Sequence, residues 1–160
     1  GCPETSPGFA FPSGNRYLSL IRDLRALRAA LGTMSSQHTN SISISVETSY
    51  IEAESVPSEN RYVFSYTISI RNLGTQPARL LNRHWIITDA NGRVQEVRGE
   101  GVVGQQPYLR PGQMFRYTSG TMITTPVGSM HGSYEMLNDE GVRFEAEIPP
   151  FSLSIPKTLH

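Results

Sequence analysis

Cysteine is nearly absent from this sequence. Cys2, in a polar N-terminal tail, is the single one, so the chain can form no internal disulfide, which suits a reducing compartment. Net charge is missing as well. Fourteen basic residues balance fourteen acidic ones, and no global field draws the protein to nucleic acid or anionic lipid. No apolar run approaches the roughly 18 residues that a membrane-crossing helix needs. The motifs of common metal and nucleophile chemistry are lacking too: there is no H-E-x-x-H, no cysteine pair, no acidic calcium loop and no G-x-S-x-G. His38, His84, His131 and His160 show no ligand spacing. A two-histidine site of His84 and His131, completed by a carboxylate such as Glu135, would require their strands to be neighbours. These absences predict a protein with no catalytic residues, no resident metal and no cofactor.

What is present divides in two. Residues 1–15 are rich in proline, glycine and serine, a composition that predicts disorder. Residues 16–31 then space Tyr17, Leu20, Leu24, Leu27 and Leu31 three or four apart, with arginines opposite, as in a short amphipathic helix. Residues 1–33 carry a net charge of +2 and are read as an extension, largely disordered or partly helical, outside a functional domain of 34–160.

From residue 42 the period changes to two. Ile42, Ile44 and Val46 alternate with serines. Tyr62, Phe64, Tyr66, Ile68 and Ile70 form one face of the clearest strand in the chain, and Leu81, Arg83, Trp85 and Ile87 alternate in another. Asn91-Gly92 and Asn138 to Gly141 are hairpin turns, because Asn-Gly and Asp-Glu-Gly sequences supply the positive φ that tight turns need. Arg93 to Arg98, Met114 to Ser119, Met130 to Met136, Val142 to Ile148 and Phe151 to Ile155 complete eight expected strands, the last two separated by Pro149-Pro150. Eight short strands with turn chemistry between them predict an all-β fold, a two-sheet antiparallel β-sandwich, with a closed barrel as the alternative. Trp85 and the Tyr62/Phe64/Tyr66 run are the expected inter-sheet core.

One stretch has the look of a ligand site. Gly99-Glu100-Gly101-Val102-Val103-Gly104 spells G-x-G-x-x-G, the loop that holds a pyrophosphate when it leaves a strand and opens a helix. Here Pro107, Pro111 and Gly112 follow within eight residues, so no helix of useful length can start. Two readings remain. Gly99, Gly101 and Gly104 either serve bulges and tight bends, or line up amides as an anion-binding nest flanked by Arg98 and Arg110.

The same residues carry a family resemblance. Tyr50-Ile-Glu-Ala, Arg61 to Gly74 (RYVFSYTISIRNLG), Leu80 to Trp85 (LLNRHW), Gly99 to Pro107 (GEGVVGQQP), Pro111-Gly112, Tyr117 to Gly120, Thr125-Pro126, Gly128 to Met130 and Gly132 to Met136 stand in the order found in the ApaG family. The sequence is similar to that family over about residues 42–160. The resemblance implies a fibronectin type III/immunoglobulin-like sandwich of 7–8 strands in a bacterial cytoplasmic protein, related to domains that bind proteins in eukaryotic fusions. It implies a role linked to cobalt and magnesium resistance or efflux, which for a chain without a membrane span would be indirect. It also carries the pyrophosphate-loop suggestion onto Gly99, Gly101 and Gly104. The expectation is a non-enzymatic module with a protein partner, and with a phosphate or nucleotide as the alternative ligand.

Overall fold

The computed structural model describes residues 40–156. The expected helix at 16–31 and the extension 1–33 lie outside the described residues, as do His38 and His160. Eight strands follow in order: β1 (Ile42–Tyr50), β2 (Tyr62–Asn72), β3 (Ala78–Asp89), β4 (Val94–Glu100), β5 (Tyr108–Leu109), β6 (Met114–Ile123), β7 (Val127–Asn138) and β8 (Arg143–Ser154). The helical elements among the described residues are two 3₁₀ turns, Glu52–Glu54 and Pro57–Glu59.

All the pairings are antiparallel and fall into two sheets, β1-β2-β6 and β4-β3-β7-β8, with β5 added to β3 beyond the end of β4. The sheets remain open, and β1 runs alongside β8 on one flank. This is the sandwich that the alternation predicts, not the barrel. Side chains of period two place one face of each sheet inward. Trp85 is at the centre of that layer, edge-on to Tyr66, Tyr134 and Phe151 at centroid distances of 5.8, 6.2 and 6.0 Å. Edge-to-face pairs of this kind add about 0.5–1.5 kcal/mol each beyond the area they bury. Tyr66, Phe64, Ile68 and Ile70 are fully buried around it, and the Tyr117 and Tyr134 hydroxyls are hydrogen-bonded to each other across the sheets.

Two elements differ from the alternation pattern. Pro149-Pro150 does not separate two strands. Gly132 pairs with Ile148 and Met130 with Phe151, so the two prolines stand opposite His131 alone, as a bulge within β8. Proline has no N–H to give to a ladder, and an edge strand with a bulge tolerates it. The second difference is in β3. Its register against β7 shifts between Leu80 and Asn82, making Leu81 the extra residue. The shift reverses the faces on either side, so Leu80 rather than Leu81 joins Trp85 and Ile87 in the core.

Candidate functional site

The glycine stretch lies between β4 and β5, which both pair with the same side of β3. β4 covers Asn82 to Thr88 and β5 covers Ala78 and Arg79, so the loop crosses β3 at Leu80 and Leu81. The Leu81 bulge gives the loop its anchor. The Leu81 carbonyl accepts from the Gly101 N–H at 2.8 Å and from Gln106 Nε2 at 3.0 Å. A second anchor is Arg83, whose Nη1 donates to the carbonyls of Glu100 (2.9 Å) and Gly101 (3.0 Å). Gly99 is part of β4 and pairs with Arg83. A Cβ there would come within 2.6 Å of the Arg83 guanidinium carbon, so the missing side chain is the space the guanidinium fills.

The loop tip is a two-residue hairpin. Val102 and Gln105 exchange backbone hydrogen bonds of 2.8 and 2.9 Å, and between them Val103 and Gly104 both have positive φ, +44° and +77°. Positive φ at both central residues is the geometry of primed hairpin turns. Glycine takes it without strain. For β-branched Val103 it is a strained conformation. Val102 is fully buried, while Val103 points outward with 41% of its surface exposed. Gly101, at φ +65°, lies so close to the returning chain that a Cβ would approach the Gln105 carbonyl oxygen to 2.4 Å.

The two flanking arginines do not converge. Arg98 pairs with His84 on β3, and Arg110 follows β5, whose Leu109 pairs with Ala78. Six residues of strand between those levels correspond to about 20 Å. The Arg110 backbone N–H donates to Gln113 Oε1 and its carbonyl accepts from the Gln113 N–H, closing a turn of its own.

Outside the sheet, the same strands shape an open cleft of about 450 Å³. Register places Glu100, Asn82, Glu135 and Glu145 in one row across β4, β3, β7 and β8, and Arg98, His84, Ser133 and Glu147 in the next. Asn82 Nδ2 and Arg143 Nη1 both donate to Glu135 Oε1, at 2.7 and 3.1 Å. His84 Nε2 and Arg98 Nη2 meet Glu96 Oε1 at 2.6 and 2.9 Å. The hydrogen bond from His84 first, and the one from Arg98 second, hold the Glu96 carboxyl below its ordinary range. A folded-state value below the unfolded one means that the contribution to stability is complete above the ordinary glutamate range. It is lost as pH falls through the lowered value. A carboxyl ¹³C NMR titration is expected to show Glu96 low, and His84→Ala should raise it part of the way because Arg98 remains. An unchanged value in that variant would remove His84 as the leading cause.

Beyond the hairpin, the Tyr108 hydroxyl donates to both Asp139 oxygens, at 2.9 and 2.8 Å, and Arg79 lies over its ring at 5.1 Å. The carboxylate stabilises the neutral phenol and raises the Tyr108 value. His84 and His131 do belong to neighbouring strands, β3 and β7, on a diagonal of the outer face. Among the described residues no group of three or more His, Cys, Asp or Glu side chains is placed to hold a metal ion. No helix of the described residues is long and apolar enough to cross a membrane. Sequence reasoning singled out the glycines but not Arg83, the residue that clamps them. The signal was a lone cation on the strand face that also carries Trp85 and Ile87.

Comparison with known proteins agrees with this architecture. The model of the ApaG domain family matches residues 52–138. Protein ApaG of Azoarcus sp. (strain BH72) is 54% identical over 127 residues, 79% of this chain and 100% of that protein. Protein ApaG of Ectopseudomonas mendocina is 59% identical over 119 residues, 74% of this chain and 94% of that one. A crystal structure of a Bordetella pertussis protein, 50% identical, superposes with a TM-score of 0.71 over 73% of this chain and 95% of its own.

Proposed function

Since the chain belongs to the ApaG domain family, whose match at residues 52–138 spans the loop and strands β2 to β7, we propose that it is a non-enzymatic bacterial module that binds a protein partner through the Gly99–Pro107 hairpin. The observation that carries this reading is where the loop's hydrogen bonds go. An anion nest needs successive N–H groups aimed at a common open point. Here the Gly101, Val102 and Gln105 N–H groups donate to the carbonyls of Leu81, Gln105 and Val102. With those three amides committed, what the loop presents outward includes the side chains of Val103 at its tip and Tyr108 at its base, both among the exposed large hydrophobic residues. Strain retained at an exposed valine favours recognition, because aspartate, asparagine or glycine would hold the same turn at lower cost. In the same reading the module works in the cytoplasm, and any part in cobalt and magnesium handling is exercised through its partner.

Two measurements test this. Amide NMR during titration with inorganic pyrophosphate at millimolar concentration is expected to leave residues 98–112 unmoved. Saturable shifts there would hand the loop to the phosphate reading. A photo-crosslinking residue at Val103 is expected to capture one saturable partner from bacterial extract, and Val103→Asp should weaken that capture about tenfold or more, as for an apolar hot spot. Capture that does not saturate would end the proposal.

A further inference from the structure

Among the described residues the sandwich has four strand edges, and they are not equally guarded. β8 carries the Pro149-Pro150 bulge together with Arg143, Glu145 and Glu147. β4 is short and bears Glu96, Arg98 and Glu100. β1 runs beside β8 on one flank of the sandwich. These are the devices by which sheet proteins prevent edge-to-edge pairing. β6 has none of them. It is ten residues long, contains no proline, and pairs with β2 from Met114 to Ile123 without a register break. Its one charge, Arg116, is paired with Glu47 at 3.2 Å. Among the described residues β2 is its single strand partner.

The outward face of β6 reads Met114, Arg116, Thr118, Gly120, Met122, and the two methionines are 46% and 40% exposed. This order is nearly self-complementary about Thr118. In an antiparallel pair centred there, Met114 faces the second copy's Met122, Arg116 faces Gly120, and Thr118 faces Thr118. Each methionine gains an apolar neighbour, and each arginine lies over a residue without a side chain. The two arginines are about 14 Å apart along the strand, beyond the screening length at physiological salt. We infer that the open edge of β6 pairs antiparallel with β6 of a second copy of this chain, joining two three-stranded sheets into one of six strands across a two-fold axis through Thr118. A single strand-to-strand seam lies at the small end of specific interfaces, so the dimer is expected to be reversible, with a dissociation constant of about 10–100 µM.

The test is independent of the hairpin and its partner. Sedimentation velocity across that concentration range is expected to show a monomer–dimer equilibrium, and Thr118→Lys, which sets two like charges face to face on the axis, should weaken it at least tenfold. In a Cys2→Ser background, Thr118→Cys should oxidise to a covalent dimer, because strand partners across an antiparallel pair fall within disulfide reach. Ser65→Cys, on the same face but in the central strand β2, should remain monomeric. A protein that stays monomeric at several hundred micromolar, or a Thr118→Cys variant that cross-links no faster than Ser65→Cys, would overturn the inference. So would a dimer indifferent to Thr118→Lys. Thr118 is exposed, and circular dichroism identifies any variant that fails to fold. Met122→Lys, at the other end of the seam, provides a second disruption of the same pairing.

Discussion

Gly132→Ala is expected to cost about 3 kcal/mol or more, a large share of the 5–15 kcal/mol that holds a domain of this size together. Gly132 pairs with Trp85 in β3, beside the β8 bulge that disturbs β7 at His131. A Cβ at this position would sit 2.0 Å from the His84 carbonyl oxygen and 3.2 Å from the Trp85 Cα. Both neighbours are backbone of the central strand pair, which cannot rotate aside as a side chain would. The strands must separate, and the two residues moved are Trp85, at the middle of the inter-sheet core, and His84, which lines the outer cleft. Denaturant unfolding followed by Trp85 fluorescence measures the loss, since Trp85 is the chain's one tryptophan. A loss below about 1 kcal/mol would show that the strands can part without cost, contrary to a close-packed interior.

The loop glycines should rank by what surrounds them. Gly101→Ala is expected to cost about 2–4 kcal/mol, because it combines positive φ with a Cβ placed 2.4 Å from the Gln105 carbonyl oxygen. Gly104→Ala keeps the unfavourable φ of +77° but meets nothing within 4 Å, so about 1 kcal/mol is expected. Gly99→Ala should fall between them. Its Cβ collides with the end of the Arg83 side chain, which can swing away but then gives up its bonds to the Glu100 and Gly101 carbonyls. Unfolding midpoints of the three variants measure the order. A Gly104→Ala cost equal to or above that of Gly101→Ala would refute the packing account of this loop. The ranking also bears on function. If the loop works through the Val103 side chain, Gly104→Ala should retain partner capture while Gly101→Ala, which opens the hairpin, should lose it.

A chain that alternates greasy and polar residues can bury its greasy face in few ways. For that reason the β-sandwich, its central aromatic layer and the positions of most strands were legible in the sequence, as Tyr62 to Ile70 show. The rejection of a nucleotide-binding helix after Gly104 was legible too, because Pro107 and Pro111 act through local sterics alone. Most of the candidate site was not. The Leu81 and Pro149-Pro150 bulges are properties of two strands together, and a one-residue slip in pairing leaves no trace in the alternation of either strand taken singly. The guanidinium of Arg83 finds Gly99 sixteen positions away because β3 and β4 pair in that register. The separation of Arg98 from Arg110 depends on both β4 and β5 sharing one side of β3. Local periodicity and turn chemistry by themselves determined the layers and the bends of this protein. Which carbonyl each loop amide reaches, and which edge stays open, was decided only when the strands met, since hydrogen bonds between distant segments depend on register and register is a tertiary quantity.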